Sequence, residues 1–141
     1  MLVSIDDLLL YENKNIINRY LKDYPNNSLE PENALKELLK YFWLSCKHKI
    51  DKNSDPTDKK LDFMCSIHHE MNQIDDMWHT FLLFTKDYMY FCKKYFNKYI
   101  HHIPFPEDLR LSEEEFRNDF TNYLSYVYDN LGENTVITWF Y

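Results

Sequence analysis

The chain has 141 residues, of which 45% are hydrophobic and 18% aromatic, and this content is sufficient for a buried core in one domain. Its single glycine, Gly132, excludes the glycine-rich phosphate loops of dinucleotide-binding and P-loop proteins. The formal charge of −7 makes a nucleic-acid partner an unfavourable assignment, because phosphate backbones attract clustered lysine and arginine.

The first part of the sequence predicts two helices. Ser4, followed by acidic residues and a run of leucines, is typical of an N-cap and opens a helix to about Lys22. Pro31 stands at a first-turn position and opens a second helix, which should end near Lys49. Residues 51–60 are the most polar stretch of the chain and are predicted to form a solvated loop.

Two more helices are predicted in the middle of the chain. A helical pattern of apolar residues runs from about Glu70 to Phe84. Residues 85–87 can cap a further helix, which continues through Phe96. Residues 103–106 contain two prolines and cannot be helical.

The last predicted helix begins at a capping box and ends at the only glycine. Ser112 and Glu115 have the capping-box spacing, and Gly132 is a natural helix terminator. The β-branched and aromatic residues 135–141 are predicted to form an extended tail. Together these elements predict an all-α fold over residues 1–141, a single compact irregular bundle of about five helices.

Residues of ligand and acid/base type are concentrated between Asp75 and Pro104. Asp75 and His79 are four residues apart, so on a helix they share one face. This pairing can hold an imidazole in one tautomer, as a metal ligand or a catalytic acid/base requires. Tyr88 and Cys92 repeat the spacing on the next helix and would face the first pair if the two helices formed a hairpin.

Two functional interpretations of this segment compete with a structural one. Asp75, His79, Cys92 and His102 together offer the nitrogen, oxygen and sulfur donors that zinc and related metals bind. Alternatively, His79 is a metal-free acid/base that Asp75 orients, which predicts an open pocket at the imidazole. The pattern favours a structural polar cluster over both, because a His–Asp pair and a cysteine among aromatics are common in helical cores.

The same segment resembles a known family. The matching residues are Leu35 to Leu44, Asp75-Asp76-Met77-Trp78-His79, Phe84-Thr85, Tyr88, Phe91-Cys92, Phe96 and His101-His102-Ile103-Pro104. In these residues the chain resembles the glycine-rich domain-containing protein-like family of plants and bacteria, over about residues 35–141. The family's usual glycine is Asn97 here, and asparagine is the next-best residue for a left-handed backbone. The resemblance implies a helical fold and the four site positions, and it implies no reaction.

These observations leave two classes of function open. The first is a non-enzymatic protein-binding or scaffold module, because no catalytic motif is recognisable and an acidic, tyrosine-rich surface can meet a protein partner. The alternative is a metal-binding protein or metal-dependent hydrolase with zinc or another transition metal as its cofactor. The sequence does not decide whether the chain is an enzyme.

The compartment is inferred from the cysteines and the N-terminus. Cys46, Cys65 and Cys92 are odd in number and widely spaced, as in proteins with free thiols in a reducing compartment. The first ten residues include Asp6 and Asp7 and lack the basic start of a signal peptide. No uncharged apolar run approaches the ~20 residues that span a bilayer. We therefore expect a cytoplasmic protein without a membrane partner.

Overall fold

A computed structural model of the chain describes residues 1–104 and 111–141, and within these ranges it is helical and has no strand. Seven α-helices are present in the described ranges. They are α1 (Ile5–Leu8), α2 (Lys14–Asp23), α3 (Pro31–Ser54), α4 (Asn72–Leu83), α5 (Thr85–Phe96), α6 (Glu113–Leu131) and α7 (Glu133–Phe140), with 3₁₀ turns at Lys59–Leu61 and His69–Met71. The predicted all-α class is confirmed, whereas the predicted number of about five helices is wrong.

The first predicted helix is in fact two, because Asn13 begins a new one. Its side-chain oxygen accepts hydrogen bonds from the backbone N–H groups of Asn15 and Ile16, at 3.0 and 3.3 Å. Its side-chain amide donates to the Asp87 carboxylate at 2.9 Å. The break therefore depends partly on a residue far along the chain. The predicted end near Lys22 is within one residue of the end of α2.

The third helix, α3, continues past its predicted end near Lys49 to Ser54, so the predicted polar loop begins inside the helix. Asp51 in this last stretch is held by two neighbours. Lys47 Nζ lies 2.7 Å from its Oδ2, and the Tyr126 hydroxyl donates to the same oxygen at 2.6 Å. Charge-assisted contacts of this kind stabilise polar helical residues that composition alone assigns to a loop.

The predicted extended tail is wrong, because these residues form α7. Gly132 has φ of 90° and separates α6 from α7. Trp139 and Phe140 are buried, and the Phe140 ring lies edge-on to Tyr123 with centroids 5.6 Å apart. Burial of these two aromatics outweighs the β preference of the branched residues before them.

Other predicted boundaries are confirmed where the structure describes them. Ser112 and Glu115 form the reciprocal capping box at the start of α6, and α6 ends immediately before Gly132. Asn97 adopts the left-handed conformation with φ of 54° and terminates α5. Residues 103 and 104 are not helical, and the rest of the predicted proline turn lies outside the described residues.

The chain divides into two compact units. The first contains α1, α2, α3 as far as Trp43, α4 and α5, and it ends at Ile100. The second contains α3 from Leu44 onward, the 3₁₀ turn at Lys59–Leu61, α6 and α7. That the whole chain is a single domain stays a prediction.

An aromatic cluster forms the core of the first unit. The rings of Phe42 and Trp78 have centroids 5.1 Å apart, those of Phe81 and Tyr88 are 4.9 Å apart, and both pairs pack edge to face. Phe91 joins the cluster at 6.0 Å from Phe42. Each such pair contributes about 0.5–1.5 kcal/mol beyond the burial of apolar area.

Inside this cluster the polar groups form a short relay. The Trp78 indole N–H donates to the Tyr88 hydroxyl at 3.0 Å, and that hydroxyl donates to the carbonyl oxygen of Ile100 at 2.5 Å. Burial raises the pKa of the Tyr88 hydroxyl, so it remains a donor. The relay joins α4 and α5 to the chain that follows them.

The second unit has its own buried imidazole. The His48 ring stacks on Phe63 with centroids 4.0 Å apart. Its Nε2 donates to the carbonyl of Leu61 at 2.9 Å, since a carbonyl oxygen can only accept. Burial lowers the pKa of His48, which favours the neutral ring. Nearby, the Tyr123 hydroxyl donates to the Ser66 carbonyl at 2.8 Å.

The relay predicts a stability cost for Tyr88→Phe. The substitution keeps the ring and leaves the Trp78 N–H without its acceptor and the Ile100 carbonyl without its donor. We expect the free energy of unfolding to fall by about 1–3 kcal/mol in urea denaturation. Tyr90→Phe is the matched control, because Tyr90 is exposed. Equal effects of the two substitutions would contradict the relay.

The buried imidazole predicts a pH dependence of stability. Because the folded-state pKa of His48 lies below its ordinary value, the unfolded chain binds the proton first as the pH falls. The stabilisation by the neutral ring is complete above about pH 6.5 and is lost as the pH falls from there through the folded pKa. Urea unfolding at about pH 7.5 and about pH 5.5 should show a larger loss for the wild type than for His48→Gln. The same loss in both proteins would refute this assignment.

Candidate metal centre

The fourth helix, α4, carries Asp75 and His79 beside its packed face, with Asp75 half-buried and His79 exposed. Its buried side chains are those of Ile74, Met77, Trp78, Thr80 and Phe81. Asp75 lies in the first turn, where a carboxylate interacts favourably with the helix dipole, and His79 lies one turn later. The two side chains share one face, as their spacing predicts.

The contact between these two side chains is loose. His79 Nε2 lies 3.7 Å from Asp75 Oδ2, and the side chains are 52% and 29% exposed, respectively. A separation of 3.7 Å is too long for a hydrogen bond. An ion pair this exposed contributes little to stability. Asp75 therefore does not fix the imidazole in one tautomer by this contact.

One side chain and one backbone N–H group from the segment before α3 hold the start of α4. Asn27 Nδ2 donates to the Asp76 carboxylate at 3.0 Å, and the backbone N–H of Leu29 donates to Gln73 Oε1 at 2.8 Å. Asp76 is thus engaged in holding a turn, although it is adjacent to Asp75. These contacts join residues more than forty positions apart, so no local sequence pattern reveals them.

His102 follows closely after the end of the first unit. It lies two residues beyond Ile100, whose carbonyl accepts the hydrogen bond from Tyr88. One ligand atom from each of Asp75, His79 and His102 lies within 4.8 Å of the others. In the described ranges no other group of three or more His, Cys, Asp or Glu has this property.

Cys92 does not belong to this group. It is buried in the core of the first unit, where its thiol contacts the Tyr88 hydroxyl and the backbone N–H of Ile100. Burial raises the pKa of the thiol and so disfavours the thiolate that binds metals. Tyr88, which was expected to face Asp75 and His79, is also buried and serves the relay. That Cys92 is a metal ligand stays a prediction with no support from this geometry.

The donor set suits a borderline divalent ion. Two imidazole nitrogens and one carboxylate oxygen are ligands that zinc and neighbouring metals bind. Two ligands of a tetrahedral zinc lie roughly 3.4 Å apart. The separation of 3.7 Å between His79 Nε2 and Asp75 Oδ2 is close to this value. The three donor atoms lie within 4.8 Å of one another, so coordination of one ion requires the side chains to rotate toward it.

The interpretation of His79 as a metal-free acid/base receives mixed support. The imidazole is exposed, as that interpretation requires. The orienting hydrogen bond from Asp75 is not made at 3.7 Å. Two grooves of about 600 and 450 Å³ lie in the second unit, along Tyr126 and Val136 and along His48 and Cys65, and none of the three donor residues lines them.

A comparison with models of protein families finds one that matches the chain. A model of the UCP032817-like family matches residues 18–121, which is more than half of the chain. The chain belongs to the UCP032817-like family. The resemblance to the glycine-rich domain-containing protein-like family is therefore wrong. Several of the residues that carried the resemblance, such as Trp78, Tyr88 and Phe91, form the aromatic core, and packing selects such residues in many helical proteins.

The other comparisons found no relative. No curated protein and no solved structure matches the chain. The family is uncharacterised, so UCP032817-like membership assigns no activity. Among the described residues no helix combines the length and the apolar character needed to cross a bilayer.

The exposure of the His79 side chain, 52%, predicts that it contributes little to folding. In metal-free protein we expect His79→Asn to change the free energy of unfolding by no more than about 0.5 kcal/mol. Urea denaturation in the presence of a chelator measures this, with the core substitution Trp78→Phe as a destabilising reference. A loss above about 2 kcal/mol for His79→Asn would identify it as a structural residue.

Proposed function

We propose that this UCP032817-like protein binds a divalent transition-metal ion, zinc in the first instance, through Asp75, His79 and His102. The observation that supports this is the convergence of three ligand atoms within 4.8 Å. Two of the residues lie one turn apart on α4.

The number of protein ligands bears on the kind of site. Structural zinc sites are usually closed by four protein ligands, whereas three protein ligands leave a position open for water or another molecule. The partly exposed His79 and Asp75 are consistent with an open site. A bound ion would supply Lewis acidity, and this chain's residues would hold and orient it. The proposal assigns no substrate.

A non-enzymatic protein-binding module, the function that the sequence favoured, is compatible with this proposal. A metal site at one end of α4 does not occupy the outward face of α5, where Met89 and Tyr90 are exposed. Large exposed apolar side chains of this kind are enriched where proteins meet. We therefore retain partner binding as the second candidate function.

Metal titration tests the proposal directly. Tag-free protein, stripped with a chelator, should bind one equivalent of Zn²⁺ in calorimetry and give visible ligand-field absorption with Co²⁺. Asp75→Asn, His79→Asn and His102→Asn should each weaken binding by at least about tenfold, because each removes one of three protein ligands. His69→Asn is the matched control, since His69 is exposed and outside the group.

Zinc binding can also be measured through its effect on the free energy of unfolding. At free Zn²⁺ about 100-fold above its dissociation constant, the wild type should gain about 2.7 kcal/mol of stability, provided that the unfolded chain does not bind the ion. The three variants should gain much less. Failure of the wild type to bind, or equal binding by the wild type and all three variants, would overturn the proposal.

A further inference from the structure

The helix α5 divides its residues sharply between two faces. Tyr88, Phe91 and Cys92 are buried on one side and form part of the core of the first unit. The opposite side carries Lys86, Met89, Tyr90, Lys93 and Lys94, all of them exposed. We name these five residues the basic face. Their spacing of three and four residues places them along one stripe of the helix.

The segment that carries the basic face has a net positive charge. Residues 85–98 contain four lysines and one acidic residue, in a chain whose formal charge is −7. The acidic residue, Asp87, accepts a hydrogen bond from Asn13 at 2.9 Å and lies at the flank of the stripe. Residues 36–49 have the same balance of four lysines and one acidic residue, so the basic face is distinguished by lysines that surround two large exposed side chains.

Two large side chains lie exposed among the lysines. Met89 is 60% and Tyr90 is 68% exposed. A surface kept only for solubility does not require either residue, and both types are enriched at protein interfaces. Lysines around an apolar centre have the arrangement of a charged rim, which favours encounter with an oppositely charged partner.

From these observations we infer that the basic face of α5 binds a short acidic amphipathic helix of another protein. The partner would place an apolar stripe on Met89 and Tyr90 and carboxylates opposite Lys86, Lys93 and Lys94. An interface of three helical turns is small, so the complex is weak and sensitive to salt. The inference depends on no bound metal and is independent of Asp75 and His79.

Two other kinds of partner fit the face less well. A nucleic acid would meet a chain of net charge −7, and its phosphates would gain nothing from Met89 at the centre of the stripe. A membrane-surface helix needs a broad apolar face, and the apolar face of α5 is buried in the core. An acidic helix uses both the lysines and the two exposed apolar side chains.

Fluorescence anisotropy with a labelled synthetic peptide tests the inference in the full chain with a chelator present. The probe is a peptide of about 14 residues, roughly 20 Å long as a helix, with leucines on one face and glutamates on the flanks. A scrambled peptide of the same composition is the reference. We expect the designed peptide to bind at least about tenfold more tightly, and to lose affinity as salt rises.

Substitutions in the basic face test whether the peptide binds there. The double substitution Lys93→Glu with Lys94→Glu, and separately Met89→Ser with Tyr90→Ser, should each weaken binding at least about tenfold. Lys59→Glu with Lys60→Glu is the matched control, because it makes the same charge change at two exposed lysines of the second unit. It should change affinity less than about threefold. All of these positions are exposed, so urea denaturation should show folded protein in each case.

Several results would overturn the inference. One is equal affinity for the designed and scrambled peptides, or no binding of either. Another is a loss of affinity in the control that matches the loss in Lys93→Glu with Lys94→Glu. Tighter binding of a single-stranded RNA oligonucleotide, or of vesicles containing phosphatidylserine, through the same lysines would assign the face to a different partner. The chain could instead self-associate in a way that the lysine substitutions abolish. That result would identify the partner of the basic face as a second copy of the chain and not an acidic helix.

Discussion

The arrangement of the first unit depends on how one buried tyrosine hydroxyl is satisfied. A hydroxyl and an indole N–H enclosed by aromatic rings would each cost about 1–3 kcal/mol without a partner. The Trp78 N–H donates to Tyr88, and Tyr88 donates to the Ile100 carbonyl, so neither group is left without one. This relay fixes α4 against α5 and also fixes the backbone just before His102. The packing of α4 against α5 therefore depends on hydrogen bonds inside the hydrophobic core.

Helical periodicity and local caps predicted much of the fold, and the errors have a common physical origin. The capping box at Ser112 and the terminator Gly132 act within one helical turn, so the sequence reveals them. The break at Asn13 depends on Asp87, and the helix at the C-terminus depends on the burial of Trp139. Such contacts join distant parts of the chain, and no local pattern records them. In both places tertiary contacts outweighed local preference.

Spacing predicted which site residues share a face, and it did not predict which face is buried. Asp75 and His79 share the exposed side of α4, whereas Tyr88 and Cys92, with the same spacing, share the buried side of α5. The lysines of α5 were the available signal, because they lie opposite Cys92 on a helical projection. The types of the residues alone do not show which of them lie on the buried face of the helix. The buried face of a helix should therefore be identified before one of its cysteines or tyrosines is considered as a ligand.

Both proposed functions use residues of helices that also build the aromatic core of the first unit. In the described part of the chain, no buried side-chain nitrogen or oxygen lacks a hydrogen-bond partner, so the polar groups within the fold are satisfied by the fold itself. The groups assigned to function, Asp75 and His79 on α4 and the lysines on α5, lie on the exposed sides of helices whose other sides build the aromatic cluster. Binding at either surface needs no opening of the core, so little reorganisation opposes it. A rigid helix that presents side chains outward is also the support that precise ligand geometry requires.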